Sequence, residues 1–247
     1  MPKKARTPRA PRTVQAPKRR SNTRAGGPFE SLPRWVWAVV AAVLLGLALV
    51  AAFALGGGGS SGTSEAAVAK AMKSAGCSYT SRPPKPPKKN PTNYHADVPS
   101  LTTPTNNLWS TFPPSAGAHY GLWAVWGFYR QPVNPRQVVH NEEHGAVVLW
   151  WGPGVPSSTV DRLESFYQEK PEGMMGTPIA GLGKKIALSA WTGDPAKYYR
   201  NHYFGVGHVA ICSSFNEQAF ATFRDAFRGH GPEGIPLSSD TPGSGPQ

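Results

Sequence analysis

An uninterrupted apolar stretch, Trp35–Leu55, constrains the fold of this chain more than any other feature. Its 21 residues include no charged or strongly polar side chain, and a helix of that length spans roughly the 30 Å hydrocarbon core of a bilayer. A cleaved signal peptide is an alternative, because Ala51–Ala54 offers small residues. However, 34 residues precede the stretch, and it exceeds the usual signal-peptide apolar region of about 7–15 residues. The sequence therefore predicts an uncleaved transmembrane helix over residues 35–55.

The charges that flank this segment predict its orientation. The chain has a net charge of +12, and ten of its 26 Lys and Arg residues precede residue 35, with Glu30 as the one acidic residue there. The positive-inside rule makes residues 1–34 a cytoplasmic tail, too polar to fold, and puts the C-terminal part outside the cell membrane. Because the positive charge is concentrated in this tail, we expect the membrane rather than nucleic acid as its partner.

Composition divides the rest of the chain. Gly and Ser at the start and Pro and Lys at the end make residues 56–89 a linker, interrupted by a helix-forming segment at Glu65–Ser74. Residues 90–233 are enough for one domain with its own core. Residues 234–247, rich in Ser, Pro and Gly, are predicted to be a disordered tail.

Hydrophobic patterning predicts an α+β domain. The continuous apolar run Ala146–Trp151 is typical of a strand buried on both faces. Strands that alternate with two amphipathic helices favour a mixed sheet covered by helices, with a long Pro- and Trp-rich loop before them. The remaining predicted elements are strands at Lys185–Trp191 and His208–Ser213 and helices at Thr159–Lys170 and Glu217–Arg228.

A short helix is predicted over Pro135–His144. Asn134 is a good N-cap, Pro135 suits the first helical position, and Gly145 is a natural stop. The helix would lead directly into the buried strand.

This helix carries the candidate metal ligands. His140 and His144 are one turn apart with Glu143 beside them, so all three share one helical face. Imidazole and carboxylate ligands suit zinc or copper, and His119 completes the predicted set, with His95 as an alternative further ligand. The other interpretation is that these histidines hydrogen-bond main-chain carbonyls and hold the long loop in place.

An enzymatic interpretation is available but not favoured. His140–His144 also matches the inverted zinc-peptidase motif His-x-x-Glu-His, in which a glutamate acts as base. In those enzymes the motif lies in mid-helix, whereas Gly145 ends the helix here. A metal-dependent hydrolase is therefore the third hypothesis, after non-catalytic metal binding and an adaptor function.

The adaptor hypothesis rests on aromatic residues in the long loop. Trp109, Trp123, Trp126 and Tyr129 lie close together in the sequence. Stiff aromatic side chains bury area at low entropic cost, so they could form a groove for an envelope protein or a glycan. They could equally form a hydrophobic cluster under the loop.

The chain has two cysteines, Cys77 and Cys212. In a domain outside the membrane two cysteines favour a disulfide, which would tie the end of the linker to a core strand. Two free thiols are the alternative.

The ordered set of motifs resembles the bacterial domain-of-unknown-function family 3105. The similar motifs are FPPSAGAH at Phe112–His119, GFY at 127–129, HNEEHGAVV from His140 onward, and AW at 190–191. The chain departs from the family pattern at Ala116, Ala118, Asn141 and Glu142, the last of which replaces a leucine. The resemblance implies a single domain behind an N-terminal anchor or signal, and no established activity. The family positions that this sequence retains are His119, His140, Glu143, His144 and Gly145.

Overall fold

The computed structural model describes residues 63–85, 95, 108–201 and 204–246. The predicted cytoplasmic tail and the predicted transmembrane segment lie outside the described residues. Within the described part, no helix combines the length and the apolar character needed to cross a membrane.

The described residues form a mixed α+β domain. Its five α-helices are α1 (Glu65–Ser74), α2 (Pro135–His144), α3 (Ser157–Glu169), α4 (Pro195–Asn201) and α5 (Glu217–Phe227). Its five strands are β1 (Ser78–Arg82), β2 (Val147–Trp151), β3 (Met174–Pro178), β4 (Ile186–Thr192) and β5 (Val206–Cys212), and a 3-10 helix covers Leu237–Ser239.

The strands form a single sheet in the order β1-β5-β4-β2-β3. Only the pair β2 and β3 is parallel, while the other three pairs are antiparallel. The predicted mixed sheet is therefore confirmed. The three predicted strands correspond to β2, β4 and β5, whereas β1 and β3 were not predicted. β3 contains Gly176 and Pro178, and its short sequence lacks an alternating pattern.

Both faces of the sheet are covered, which explains the continuous apolar sequence of β2. One face packs against α1, α3 and α5, through side chains such as Val68, Leu163 and Phe220. The other face packs against α2 and the long loop, where Trp126 and Val138 contact Val148, Trp150 and their neighbours. All five residues of β2 are buried. The loop that precedes α2 is thus part of the core, and it packs beside the helix that carries the candidate metal ligands.

The domain begins earlier than composition predicted. Helix α1 has the predicted bounds, but Val68 and Met72 are fully buried in the core, and β1 pairs with β5 along its whole length. The prediction of a linker over residues 56–89 is wrong for this part. The disulfide between Cys77 and Cys212 joins the start of β1 to the end of β5. The cysteine pair predicted from the sequence therefore fastens an edge strand of the sheet.

The predicted disordered tail is also wrong over residues 234–246, which the structure describes. Trp126 exchanges backbone hydrogen bonds with this segment: its N–H donates to Ser244 at 2.8 Å, and its carbonyl accepts from Gly243 at 2.8 Å. Asp240 is buried, and its carbonyl accepts a hydrogen bond from Gly173. Composition failed here because these bonds use backbone groups, which any residue type supplies.

Candidate metal centre

Helix α2 is buried on all sides although most of its residues are polar. Eight of its ten side chains are buried. The Asn134 side chain accepts a hydrogen bond from Arg136 N at 3.0 Å, and Gly145 ends the helix with φ of 116°. A side chain at Gly145 would place its Cβ 2.9 Å from Gly229 Cα. The predicted caps are confirmed, and they fix the rotation and length of the helix that carries the candidate ligands.

The side of α2 that faces away from the histidines attaches the helix to the loop and the sheet. Asn141 forms two hydrogen bonds with the backbone of Ala124, at 2.9 and 3.0 Å. Glu142 accepts a hydrogen bond from Ser189, whose hydroxyl accepts one from Trp150 Nε1 at 2.6 Å. Complete burial raises the pKa of Glu142 well above its ordinary value, which favours the neutral acid. These residues bond to the loop and the sheet rather than to the histidine cluster, although Glu142 Oε2 has no hydrogen-bond partner among the described residues.

Three histidines and one glutamate converge on the opposite side of α2. His95, His119, His140 and Glu143, here called the inner group, each offer one ligand atom, and these atoms all lie within 4.8 Å of one another. The three ring centroids are 4.6 to 4.9 Å apart. His119, His140 and Glu143 are buried, while the side chain of His95 is 37% exposed. The inner group is therefore a buried set of donors with one exposed member.

Backbone carbonyls orient two of these rings. His119 Nδ1 lies 2.7 Å from Gly117 O, and His140 Nδ1 lies 2.6 Å from Tyr120 O. Because a carbonyl oxygen only accepts, each Nδ1 must donate the hydrogen. In the neutral ring Nε2 then carries a lone pair directed into the inner group. Metal-binding histidines are commonly held in this way.

Glu143 lies at the centre of the inner group. Its Oε2 is 2.9 Å from His119 Nε2 and 3.5 Å from His95 Nε2, and its Oε1 accepts a hydrogen bond from Tyr198 at 3.3 Å. Burial opposes ionisation of Glu143. When His119 is protonated, its charge and hydrogen bond, together with a hydrogen bond from His95, outweigh burial and hold the pKa of Glu143 well below the ordinary value. The group is therefore a carboxylate among imidazoles.

Both histidines of α2 are uncharged at neutral pH. Burial lowers the pKa of His140 to about 3, with the charge of His119 acting in the same direction. Burial also lowers the pKa of His144 to about 4. Hydrogen bonding to Glu143 raises the pKa of His95. At neutral pH both α2 rings therefore have the uncharged form that coordinates metal ions.

A second set of ligand atoms overlaps the first. His140, His144 and Glu233, here called the outer group, also offer ligand atoms within 4.8 Å of one another. His144 Nε2 lies 3.4 Å from Glu233 Oε2, and His144 Nδ1 lies 3.9 Å from Asp240 Oδ1. The two groups share His140 and lie side by side.

The structure assembles most of the predicted ligand set at one point. His119, His140 and Glu143 meet in the inner group together with His95, which the sequence offered as an alternative, whereas His144 belongs to the outer group. Sequence reasoning missed Tyr198, Glu233 and Asp240. They come from α4 and from the segment after α5, far from the histidines in sequence, and no local motif marks them.

The predicted aromatic loop does not form one exposed surface. Trp109 and Trp126 are buried in the core, and Trp109 Nε1 donates to Ala118 O at 3.0 Å. Trp123 lies against the site, with its ring centroid 4.7 Å from that of His144 and 5.3 Å from that of His140. Tyr129 donates a hydrogen bond to Val125 O at 2.5 Å. Trp123 therefore contacts the histidines, whereas Trp109 and Trp126 belong to the core.

Fold and site together define an α+β domain that encloses a histidine–glutamate cluster. The family model described as protein of unknown function (DUF3105) matches residues 104–239, and the chain belongs to that family. The match covers α2 and members of both ligand groups. No curated protein and no solved structure matches the chain.

Proposed function

We propose that this protein binds one divalent transition-metal ion, zinc or copper, through His95, His119, His140 and Glu143, without catalysing a reaction. We further propose that the domain lies outside the cell membrane, anchored by a helix over residues 35–55. The disulfide between Cys77 and Cys212 supports this location, because disulfides persist in oxidising compartments.

One contact carries the metal proposal. His119 Nδ1 donates to Gly117 O, so in a neutral ring Nε2 carries a lone pair, and this atom lies 2.9 Å from Glu143 Oε2. Neither of these two buried atoms has a hydrogen-bond partner among the described residues. Two lone pairs this close repel each other in a buried site unless a cation lies between them. A metal ion bound by both atoms removes the repulsion, and so does a proton on His119. Metal and proton are therefore the two competing explanations of this contact.

The spacing of the ligand atoms favours the metal. Tetrahedral coordination at about 2.1 Å separates ligand atoms by about 3.4 Å. The Oε2 atom of Glu143 lies 3.5 Å from His95 Nε2 and 2.9 Å from His119 Nε2. A single ion can therefore contact these three residues with small movements, and His140 supplies a fourth donor. A proton shared between His119 and Glu143 accounts for that one contact, whereas a single ion accounts for the convergence of all four ligand atoms.

The donor chemistry selects the kind of metal. Three imidazoles and one carboxylate suit zinc and copper, whereas magnesium and calcium favour sites made of oxygen ligands. The carbonyls of Gly117 and Tyr120 fix the rings before any ion arrives. Such outer contacts strengthen metal binding by holding the ligands in position.

The two neighbouring glutamates of α2 provide a matched test. The full chain is titrated with Zn²⁺ or Cu²⁺ by calorimetry, and bound metal is quantified after dialysis. We expect one ion per chain. Glu143→Gln alters a direct ligand and should weaken binding by at least the roughly 10–100-fold that loss of an outer partner costs. Glu142→Gln, the same change at the adjacent buried residue bonded to Ser189, should leave affinity unchanged. Absence of bound metal, or equal effects of the two substitutions, would refute metal binding by the inner group.

A further inference from the structure

This inference rests on the proposed binding of metal by the inner group. We propose that the inner and outer groups are alternative positions for one ion, and that the outer group is the exchange position through which the ion enters and leaves. The protein would then hand a divalent ion to an acceptor rather than hold it permanently.

The shared residue prevents the two positions from having their full ligand sets at the same time. His140 belongs to both groups, but its Nδ1 already donates to Tyr120 O at 2.6 Å. Only Nε2 remains, and its one lone pair binds one ion at a time. A full ligand set therefore exists at either position, never at both together.

The outer group has its own supporting shell. His144 faces Glu233 through Nε2, at 3.4 Å, and Asp240 through Nδ1, at 3.9 Å. Asp240 is buried, and its Oδ2 has no hydrogen-bond partner among the described residues. A carboxyl group behind a histidine is the usual arrangement for orienting a metal ligand, although 3.9 Å is longer than a hydrogen bond. The unpaired Oδ2 belongs to the same carboxyl group as the Oδ1 that faces His144, and the inner group does not explain it.

Exposure differs between the residues that belong to only one of the two positions. In the outer group both such side chains are partly exposed, Glu233 by 19% and His144 by 9%. In the inner group the side chains of Glu143 and His119 are 1% and 0% exposed, and that of His95 is 37% exposed. An acceptor that approaches the outer position therefore meets two partly exposed ligands. At the outer position the carboxylate ligand is Glu233, whereas at the inner position it is Glu143.

The geometry supplies a stepwise path between the positions. The ion keeps its bond to His140 while His144 and Glu233 replace His95, His119 and Glu143 one at a time. No oxidation, reduction or covalent change is involved, only exchange of one metal–ligand bond for another. Such a path avoids an intermediate in which the ion has lost every protein ligand at once.

Removal of zinc by a chelator tests the proposal. The full chain is loaded with one equivalent of Zn²⁺ and mixed with excess chromogenic chelator, and the release rate is followed by stopped-flow absorbance. We expect Glu233→Gln and His144→Ala to slow release by about tenfold or more, with one ion still bound per chain. His230→Ala removes an exposed histidine that belongs to neither group, and it should release zinc at the wild-type rate.

The outcomes separate this inference from the proposed function. If wild type binds one zinc ion and Glu143→Gln weakens binding, but Glu233→Gln and His144→Ala release zinc at the wild-type rate, the ion leaves past His95 and the exchange position is refuted. Two zinc ions bound to one chain would also overturn it. If wild type binds neither zinc nor copper, the proposed function fails, and this inference fails with it. Because Glu233 is partly exposed, Glu233→Gln tests the idea even if His144→Ala does not fold.

Discussion

Two regions of this domain bury histidines, and they differ in what the ring nitrogens face. His208 is buried between the sheet and α5, and both of its nitrogens have side-chain partners, Tyr79 at 2.8 Å and Thr192 at 2.8 Å. In the inner group, His119 and His140 each use Nδ1 for a backbone carbonyl and direct Nε2 towards other ligand atoms. Burial alone therefore does not define a site. A site is indicated where several ring-nitrogen lone pairs converge and no hydrogen-bond donor of the protein occupies them.

The largest expected effect is a difference between the two regions in how zinc stabilises variants of their histidines. At a free zinc concentration about a thousandfold above Kd, binding should stabilise the wild-type protein by about 4 kcal/mol. His119→Ala removes a direct ligand and should reduce this stabilisation to about 3 kcal/mol or less, because binding at least tenfold weaker leaves zinc at no more than about 100 Kd. His208→Leu should retain it in full. Thermal unfolding with and without zinc measures the difference. If His208→Leu reduced the zinc effect as much as His119→Ala, the contrast between the two regions would be false.

The next largest expected effect is a loss of folding stability at acidic pH. Burial lowers the pKa of His208 from 6.5 to about 4, and the charge of Glu65 opposes this weakly. The unfolded chain therefore takes up a proton on His208 below pH 6.5, while the folded chain does so only near pH 4. The neutral ring contributes stability above pH 6.5 that is lost as the pH falls to 4, about 3 kcal/mol in total.

His208→Leu checks this loss directly. The free energy of unfolding of zinc-free wild type and variant is measured by denaturant titration at several pH values. The wild type should lose stability relative to the variant between pH 6.5 and pH 4. Parallel pH profiles for the two proteins would show that His208 does not titrate in this way.

The same variant should also be less stable at neutral pH. His208→Leu leaves Tyr79 and Thr192 without their shared partner, and an unsatisfied buried polar group costs about 1–3 kcal/mol. The leucine also loses the stacking on Phe227, whose ring centroid lies 4.1 Å from that of His208. Unfolding at pH 7.5 measures this cost, and zinc affinity should not change. A variant as stable as wild type would mean that the network around His208 contributes little.

A substitution at the glycine that ends the ligand helix α2 should lower the free energy of unfolding by a similar amount. Gly145→Ala forces a Cβ into a residue with φ of 116° and to 2.9 Å from Gly229 Cα, so we expect a loss of about 2 kcal/mol. Gly183→Ala is the control, because Gly183 also has positive φ but nothing within 4 Å of its Cβ. Chemical denaturation measures both variants. Equal losses would show that the contact with Gly229 is unimportant.

The smallest expected effect is at Glu142. Because burial raises the pKa of this acid well above its ordinary value of 4.5, the folded chain keeps Glu142 neutral at pH values where the unfolded chain ionises it. At pH 4, where this acid is mostly neutral in both states, Glu142→Gln should change stability by less than about 1 kcal/mol. As the pH rises above 4.5, the wild type should lose stability relative to the variant, because folding must then protonate the acid. An opposite trend in pH-dependent melting would contradict a neutral Glu142.

Local signals predicted the ligand helix well. Asn134, Pro135 and Gly145 predicted the bounds that α2 has, because caps and stops act within one helical turn. The same sequence could not predict that Glu142 is fully buried, since its partner Ser189 lies on β4. It could not predict β3 either, because its pairing with β2 is set by the sheet and not by its own pattern.

By itself, the sequence determined a helix with His140, Glu143 and His144 on one face, next to a strand with apolar residues on both sides. Helical periodicity and capping are local, so they are readable from adjacent residues. Only the tertiary structure decided that His95 and His119 join His140 and Glu143, while Glu233 and Asp240 join His144. Those residues come from distant segments. Their approach depends on packing of the long loop, α2 and the C-terminal segment against the sheet.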